Sequence, residues 1–482
     1  MWCASASGQF KPIKERFQWA SVNNVFNCTY HIFRSLIVLL KSKLVSLLFY
    51  LQLKMSPKTA LFCGIGSRGD LQPVIAVALE FQANGWTVKV ASEERNRSLV
   101  EITFGLTFER ISGDSTGIIF EPEYAEMLAK GKLLAMMRET AKRKDQYFQE
   151  AAADFVRASE HVDLIVSSAL CFSETYSVAE LRGVPWVPLL YGPTFPTAHF
   201  PLFFVMESNW FHWLNKATYS LLLWGLWKQE KSKINGWRHS IGLPPIEESS
   251  GIMTLITNRK LLTLGMFDPT MCPGGQPPPD WPEYFKVVGF AFADGTHKEE
   301  QCLEEHIEQF LQAGTSPVYL GFGSMPAKDP LELWSLAHEL TKKLGCRAVV
   351  CAGWSDIIAD DSSQCLLIKQ APHHLLLPRC SVIVHHCGVG TCAASLRSGR
   401  PQVGVPVMLD QPHNALHMAS LGVAPKPIPR KKLNSSNLAA AVIEASKLAE
   451  RAQQLSQFIT TNGAQLAYRE IIQNKFSSEE LG

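Results

Sequence analysis

The residues best suited to chemistry lie in one short stretch towards the carboxyl end of the chain, residues 381–411. There a β-branched apolar run, typical of a buried strand, ends in His385 and His386, and a helical stretch follows. The turn between them contains three small residues, Gly388, Gly390 and Thr391. A strand, a small-residue turn and a helix in this order leave helix N–H groups free to bind an anion. The motif therefore predicts a phosphate site, with His386 as its side-chain ligand and His385 as a buried, satisfied histidine.

An acidic residue and an amide follow this phosphate motif closely. The next predicted strand, 402–407, ends just before Asp410 and Gln411. The carboxyl ends of parallel strands share one edge of a sheet, and open α/β sheets bind their ligands at that edge. Because carboxylate and amide groups pair well with hydroxyls, the two motifs together predict a site for a sugar linked to a phosphate.

A second glycine motif lies near the amino end and allows two interpretations. Gly64–Gly69 follows a short strand, and Glu93 and Glu94 come about 24 residues further on. This is the dinucleotide fingerprint, so an NAD(P)-dependent oxidoreductase is one alternative. Against it, the charged residue Asp70 follows the last glycine at once, where a bound pyrophosphate favours a neutral neighbour. The loop would then present Asp70 to an acceptor, although Asp70 could also serve only as a helix cap.

Length and composition exclude several classes of protein. The 482 residues allow two or three domains, and 46 Lys and Arg against 44 Asp and Glu give no broad basic face for nucleic acid. The 12 cysteines are scattered without a CxxC pair or a metal-ligand spacing. This pattern predicts free thiols in a reducing cytoplasm and no metal site.

The first 55 residues differ from the rest of the chain. Their apolar stretch, 33–53, is interrupted by Arg34, Lys41 and Lys43. It is interpreted either as an amphipathic helix on a membrane surface or as an upstream extension with Met55 as the functional start. A transmembrane anchor is a third interpretation, which the interrupting charges disfavour.

Strand and helix signals alternate along the remainder, which predicts an α/β fold with parallel sheets. One series has strands at 59–63, 86–91, 163–167 and 184–190, and a second series begins near residue 317. The predicted organisation is an extension (1–55), a first Rossmann-like domain (56–292), a linker (293–316), a second Rossmann-like domain (317–448) and carboxyl-terminal helices that pack back on the first domain (449–482).

Five motifs occur in the order found in sterol glucosyltransferases, and the chain also resembles macrolide and rhamnolipid-type glycosyltransferases of bacteria. The motifs are GSRGDLQP (66–73), VYLGFGSMP (318–326), APHHLLLPR (371–379), HHCGVGT (385–391) and DQP (410–412). The resemblance implies the GT-B architecture, in which two Rossmann-like domains face each other across a cleft. The first domain would bind the acceptor and the second the nucleotide sugar. It also implies inversion at the anomeric carbon without a cofactor or bound metal, and the chain contains no Asp-x-Asp.

Carried onto this chain, the resemblance implies a direct displacement. Asp70 would accept the proton of the acceptor hydroxyl as that oxygen attacks C1 of the sugar, in a late and concerted transfer. His199 is a weaker candidate for orienting Asp70. The implied donor-binding residues are Ser67, Ser324, His373, His386, Gly388, Gly390, Thr391, Asp410 and Gln411. Among these, His373 would lie beside the nucleobase, and Asp410 and Gln411 would select the sugar.

The acceptor is the least constrained part of the interpretation. Residues 199–227 are dense in aromatic and aliphatic side chains, which indicates either a buried helical core or the wall of a pocket for a flat, lipid-like acceptor. Two departures from the family pattern are Cys387, at a position usually occupied by glycine, and His413–Asn414 in place of an aromatic pair. We expect UDP-glucose as donor, a sterol or other lipid as acceptor, no nucleic-acid partner, and peripheral membrane contact. A catalytically silent GT-B binding protein is a further alternative.

Overall fold

The computed structural model describes residues 57–115, 117, 121, 127, 133–202, 211–294, 301–323, 330–353 and 362–476. Residues Lys58–Gly482 belong to one compact unit. The predicted extension, 1–55, lies outside the described residues, and the predicted domain boundaries stay predictions.

The amino-terminal half is built on a parallel sheet whose described strands run in the order β3-β2-β1-β4-β5-β6-β7. These strands are β1 (Thr59–Cys63), β2 (Thr87–Glu93), β3 (Thr107–Ile111), β4 (Leu164–Ser168), β5 (Trp186–Leu190), β6 (Thr263–Gly265) and β7 (Phe285–Val287). Its helices are α1 (Arg68–Ala83), α2 (Leu133–Ala158), α3 (Phe172–Arg182), α4 (His212–Ser240) and α5 (Ile252–Arg259). Strands covered on both faces need continuous apolar runs, and Ala60–Cys63 is accordingly buried throughout.

The carboxyl-terminal half contains a second parallel sheet, in the order β10-β9-β8-β11-β12. Its strands are β8 (Val318–Gly321), β9 (Ala348–Cys351), β10 (Cys365–Ile368), β11 (Val382–His385) and β12 (Gln402–Gly404). The helices are α6 (Glu305–Gln312), α7 (Pro330–Leu344), α8 (His373–Leu376), α9 (Val389–Ser398), α10 (Gln411–Ser420), α11 (Ser435–Ser446), α12 (Ala449–Ser456) and α13 (Gly463–Lys475).

The direction of winding reverses once in each sheet, between β1 and β4 and between β8 and β11. Ligands of open α/β sheets bind outside the carboxyl ends of the strands at such a reversal. The loop after β1 leads to Asp70, and the loop after β11 leads to the HHCGVGT motif. The topology therefore places both sequence motifs at the two positions where a ligand crevice is expected.

The last helix returns to the first half of the molecule. Tyr468 of α13 packs edge-on against Phe81 of α1, with ring centroids 4.9 Å apart. Next to it Phe476 meets Trp86, with centroids 5.2 Å apart. The N–H of Gly463 donates to the carbonyl of Phe290 over 3.0 Å. These contacts tie the end of the chain to the amino-terminal sheet.

The α/β class with parallel sheets is confirmed, and the strand predicted at 59–63 has those bounds. The strand predicted at 402–407 is wrong in length, since β12 ends at Gly404. Pro406 follows two residues later, and it has no N–H to continue the pairing. The buried-core interpretation of 199–227 is also wrong for its helical part. Only one side of α4 is buried, while Trp213 is 70% and Leu221 64% exposed.

Candidate functional site

The first helix of the molecule has a carboxylate folded onto its own amino end. Ser67 precedes α1, and both its N–H and its hydroxyl donate to Oδ2 of Asp70, each over 2.8 Å. This reciprocal arrangement is a capping box, which satisfies N–H groups at the start of a helix. The cap is therefore Ser67, and Asp70 is the third residue of the helix. An external phosphate would compete here with a carboxylate that the protein already supplies.

Gly66 makes this arrangement sterically feasible. Its φ of +117° lies in the region that favours glycine, and a Cβ there would lie 2.6 Å from Oδ2 of Asp70. From the other side, the hydroxyl of Tyr191 donates to the Asp70 carbonyl over 2.7 Å. The backbone thus holds the Asp70 carboxylate at one position beside the loop.

Burial raises the pKa of Asp70 above its ordinary value, and the hydrogen bonds from Ser67 oppose part of that rise. A carboxylate with a raised pKa is a stronger base than an exposed one. The structure thus gives Asp70 an environment that narrows the pKa mismatch with an acceptor hydroxyl.

The amino end of α9, the helix that follows β11, differs from the amino end of α1. Gly388 caps α9 with extended backbone, and no side chain accepts a hydrogen bond from the first turn. Nothing lies within 4 Å of the position of a Cβ on Gly390, so the space in front of the turn is open. Free N–H groups and an open approach are the features that an anion site requires, so this end of α9 is the candidate phosphate site.

The two histidines of the motif have different surroundings. His385 is fully buried, its Nε2 lies 2.9 Å from Oε1 of Gln402, and its Nδ1 accepts from the N–H of Cys387 over 3.1 Å. His386 lies between two glycines, since a Cβ on Gly388 would lie 2.5 Å from its Nε2 and one on Gly323 3.0 Å from its Cε1. Nδ1 of His386 is buried without a hydrogen-bond partner.

Burial lowers the pKa of His386 to about 3, with smaller contributions from His385 and His373. The imidazole is therefore neutral near pH 7, and it can offer a phosphate a hydrogen bond but no full positive charge.

Asp410 is held at the edge of the second sheet by a residue that the sequence interpretation did not assign. Nδ2 of Asn414 donates to Oδ2 of Asp410 over 2.8 Å and to the carbonyl of Cys387 over 3.0 Å. Burial raises the pKa of Asp410 to about 6, and the negative charge of Asp70 contributes to the rise. The two carboxylates, one from each half, are therefore close enough to interact. A polar residue four positions after Asp410 on a helix was the available signal for Asn414.

The remaining predicted donor residues differ in how far the structure brings them to this site. Gln411 is buried, and its Oε1 accepts from the N–H groups of Val407 and Met408 over 2.9 and 3.2 Å, so this atom already holds the preceding loop. Nε2 of His373 lies 3.3 Å from the hydroxyl of Tyr319. Ser324 lies outside the described residues.

The structure places His199 with other partners than Asp70. Its Nε2 is 3.9 Å from Oδ1 of Asp280, and its ring centroid is 5.6 Å from that of His212. The hydrogen bonds that reach the Asp70 carboxylate come from Ser67. The predicted assistance of Asp70 by His199 has no support in these contacts.

Among the described residues, one group of side chains has the composition of a metal site: His385, Cys387 and Cys392. Both ring nitrogens of His385 are already engaged, one with Gln402 and one with the N–H of Cys387. A histidine ligand needs a free ring lone pair, so this group does not fit a metal ion.

Both acidic residues that could serve the alternative dinucleotide site have other partners. The carboxylate oxygens of Glu94 accept from the Arg97 guanidinium over 2.6 and 3.1 Å. Both carboxylate oxygens of Glu93 accept from Ser115, over 2.7 Å from its N–H and 2.9 Å from its hydroxyl, and Glu93 is buried. The ribose of a dinucleotide would require this carboxylate. Together with the Asp70 carboxylate at the amino end of α1, this disfavours the oxidoreductase interpretation.

Comparison with known proteins agrees with this geometry. The family described as Glycosyltransferase family 28 N-terminal domain matches residues 60–199. The family described as Erythromycin biosynthesis protein CIII-like, C-terminal domain matches residues 360–474. Among solved structures, the glycosyltransferase VinC in complex with dTDP is similar with a TM-score of 0.59 and 18% identity, covering 86% of this chain and 98% of VinC.

Three relatives of this chain come from different organisms. An O-mycaminosyltylonolide 6-deoxyallosyltransferase of Streptomyces fradiae is 31% identical over 406 residues, 82% of this chain and 92% of that enzyme. A sterol 3-beta-glucosyltransferase of Arabidopsis thaliana is 30% identical over 396 residues, 78% of this chain but only 61% of the plant enzyme. A sterol 3-beta-glucosyltransferase of Cryptococcus neoformans is 28% identical, and the match spans 26% of its length.

Proposed function

Because the chain belongs to the GT-B glycosyltransferases that include the sterol 3-beta-glucosyltransferases, we propose that it transfers a hexose from a UDP-sugar to a hydrophobic alcohol. Glucose is the proposed sugar, and a sterol or another lipid hydroxyl is the proposed acceptor. The reaction inverts the anomeric carbon and uses no metal or cofactor.

The observation that carries the proposal is the contrast between two helix amino ends. The Asp70 carboxylate accepts the N–H of Ser67 at the start of α1, whereas no carboxylate among the described residues accepts an N–H at the start of α9. A negatively charged diphosphate therefore favours α9. Asp70 then lies on the acceptor side, within electrostatic reach of Asp410 on the donor side.

In the proposed reaction the acceptor oxygen attacks C1 of the sugar while its proton passes to Asp70. The bond between C1 and the phosphate oxygen breaks, and the nucleoside diphosphate leaves with the electron pair. N–H groups of Gly388, Gly390 and Thr391, together with a neutral hydrogen bond from His386, stabilise the charge that develops on the diphosphate. Asp410, oriented by Asn414, binds sugar hydroxyls, and Gln411 adds its amide group from the same turn.

Peripheral membrane contact is proposed for one face of α4. Trp213, Leu221 and Trp224 lie on one side of this helix and are 70%, 64% and 48% exposed. Lys216, Lys228 and Lys231 accompany them, and Nζ of Lys228 lies 5.0 Å from the ring centroid of Trp224. Exposed tryptophans flanked by lysines favour the interface of a bilayer with anionic lipid. No helix among the described residues is long and apolar enough to cross a bilayer.

Sedimentation with vesicles of neutral and anionic phospholipid tests this surface. We expect Trp213→Ser with Trp224→Ser to lose vesicle binding, and Leu226→Ser, on the opposite side of the same helix, to retain it. Equal binding by both variants would eliminate α4 as the contact surface.

A cytoplasmic location is proposed as well, since the ten cysteines of the described residues are all free thiols.

Ligand-dependent thermal unfolding and product analysis test the enzymatic proposal. UDP and UDP-glucose should raise the unfolding temperature, and NAD should not. Incubation with UDP-glucose and a panel of sterols and phenols, followed by mass spectrometry, should reveal a hexosylated product. Asp70→Asn should abolish turnover and keep the shift with UDP; turnover at the wild-type rate would show that Asp70 is not the base. A wild-type protein that binds UDP but modifies no acceptor in the panel would favour the silent binding protein.

A further inference from the structure

The first residue of α1 points away from its own domain. Nη1 of Arg68 lies 3.5 Å from Oε1 of Gln370, an exposed residue just after β10 in the second sheet. The positive charge of Arg68 also acts on His373, at the start of α8, and on Cys351, the last residue of β9. The guanidinium of Arg68 therefore lies over the carboxyl edge of the second sheet, the edge that carries the open end of α9.

The charge of the donor site explains why this position matters. A nucleoside diphosphate gains negative charge as the sugar leaves it, and a full positive charge nearby stabilises that change. The two histidines of this edge do not supply one: burial, the largest cause, lowers the pKa of His386 to about 3 and that of His373 to about 4. Arg397, which also acts on His373, is already paired with both carboxylate oxygens of Asp294.

The Arg68 guanidinium is suited to supply a positive charge to the diphosphate. Arginine stays charged at every physiological pH and offers two parallel N–H groups that match two phosphate oxygens. The hydrogen bond to Gln370 is made to a neutral amide at the long limit of such bonds, so exchange of this contact for a phosphate would gain a charge-assisted one. Arg68 is separated from Asp70 by a single residue, so the first turn of α1 carries both groups.

We propose that Arg68, from the acceptor half, binds the diphosphate of the nucleotide sugar across the cleft, releasing Gln370 to do so. The inference rests on the proposed function and adds a positive charge that the neutral His386 and His373 do not supply. It also links proton transfer to the departure of the diphosphate, because the first turn of α1 carries the proposed base, Asp70, and also Arg68, which would bind the leaving group.

Isothermal titration of UDP and uridine separates a phosphate contact from a contact with the nucleoside. We expect Arg68→Ala to weaken UDP binding about tenfold or more, as for loss of a charged hydrogen bond, and uridine binding by less than about twofold. Arg68→Lys keeps the positive charge but loses the two parallel N–H groups of the guanidinium. Its affinity for UDP should lie between those of wild type and Arg68→Ala. Gln370→Ala should leave UDP affinity unchanged or higher.

The control for long-range charge is Arg95→Ala, which removes an arginine that is paired with Asp114 elsewhere on the same half. It should change UDP affinity by less than about twofold. Equal losses for UDP and uridine in Arg68→Ala, or no loss for either, would overturn the proposal. A wild-type chain that binds neither UDP nor uridine would instead contradict the proposed donor, and the same titrations with dTDP and thymidine would still test Arg68.

Discussion

The side-chain amide of Asn414 donates to the Asp410 carboxylate over 2.8 Å, and through the same nitrogen to the carbonyl of Cys387 over 3.0 Å. One residue of α10 thus fixes both the proposed sugar-binding carboxylate and the backbone that leads into the phosphate turn. If Asp410 binds the sugar as proposed, Asn414 sets the orientation of that carboxylate.

Asn414→Ala tests this link. Removal of both hydrogen bonds should raise the KM for the UDP-sugar about tenfold and lower the free energy of unfolding by about 1–3 kcal/mol, since a buried acceptor loses its donor. The hydrogen bond from Asn414 lowers the pKa of Asp410, so the acidic limb of the rate profile should also move to higher pH. Asn84→Ala, at an exposed helix end, is the control. An unchanged KM and pH profile would show that Asn414 is dispensable.

Asp410 gives a second prediction, for the pH dependence of stability. Burial, reinforced by Asp70, raises its folded pKa from 3.8 to about 6. Since the folded chain holds this proton more tightly than the unfolded chain, the stabilisation is present below about pH 4 and is lost as the pH rises through about 6. Asp410→Asn removes this loss. Relative to wild type, its unfolding temperature should therefore increase between about pH 4 and pH 7, while use of the UDP-sugar falls; a difference that does not vary with pH would contradict the assignment.

Gly66→Ala addresses the position of the proposed base. A Cβ there would lie 2.6 Å from Oδ2 of Asp70, on backbone with a φ of +117°. The carboxylate must move, so kcat should fall at least about tenfold, and strain in the backbone should cost about 1–2 kcal/mol of stability. Gly236→Ala, inside α4 with nothing within 4 Å of the new atom, should be as active as wild type and no less stable. Wild-type kcat in Gly66→Ala would refute the close fit of glycine and carboxylate.

Cys387 and Gly404 form a matched pair for a rescue experiment. Cys387 has a φ of +65°, in the region that favours glycine, and a Cβ on Gly404 would lie 2.8 Å from its Sγ. Gly404→Ala should destabilise the protein by about 1–3 kcal/mol through overpacking. Adding Cys387→Gly removes the clashing sulfur and places glycine where φ is positive. The double variant should recover part of the loss in chemical denaturation, because the new Cβ would still lie 3.1 Å from Cβ of Ala415. A purely additive double variant would show that the two positions are not coupled.

Much of the secondary structure could be predicted from the sequence because it depends on residue types that are near each other along the chain. The β-branched and apolar runs at 59–63 and 382–384 form buried parallel strands, and glycine-rich turns end them in the order that the doubly wound fold requires. Residues 199–227 were harder to interpret, because their apolar content does not distinguish a core helix from one with an exposed side. Only the packing of Tyr219, Trp227 and Trp237 on the domain decides which side of α4 is buried.

The sequence by itself determined the fold class, the glycosyltransferase family and the two loops where chemistry is expected, since these depend on residue types and on spacings within one element. Only the tertiary structure decided that the Asp70 carboxylate folds back onto the amino end of α1 while that of α9 is open, that Asn414 holds Asp410, and that His199 lies with Asp280. It also brought Arg68 onto the second sheet. The reason is physical: hydrogen bonds, desolvation and charge interactions act over a few ångströms, and the chain separation of two residues does not fix that distance.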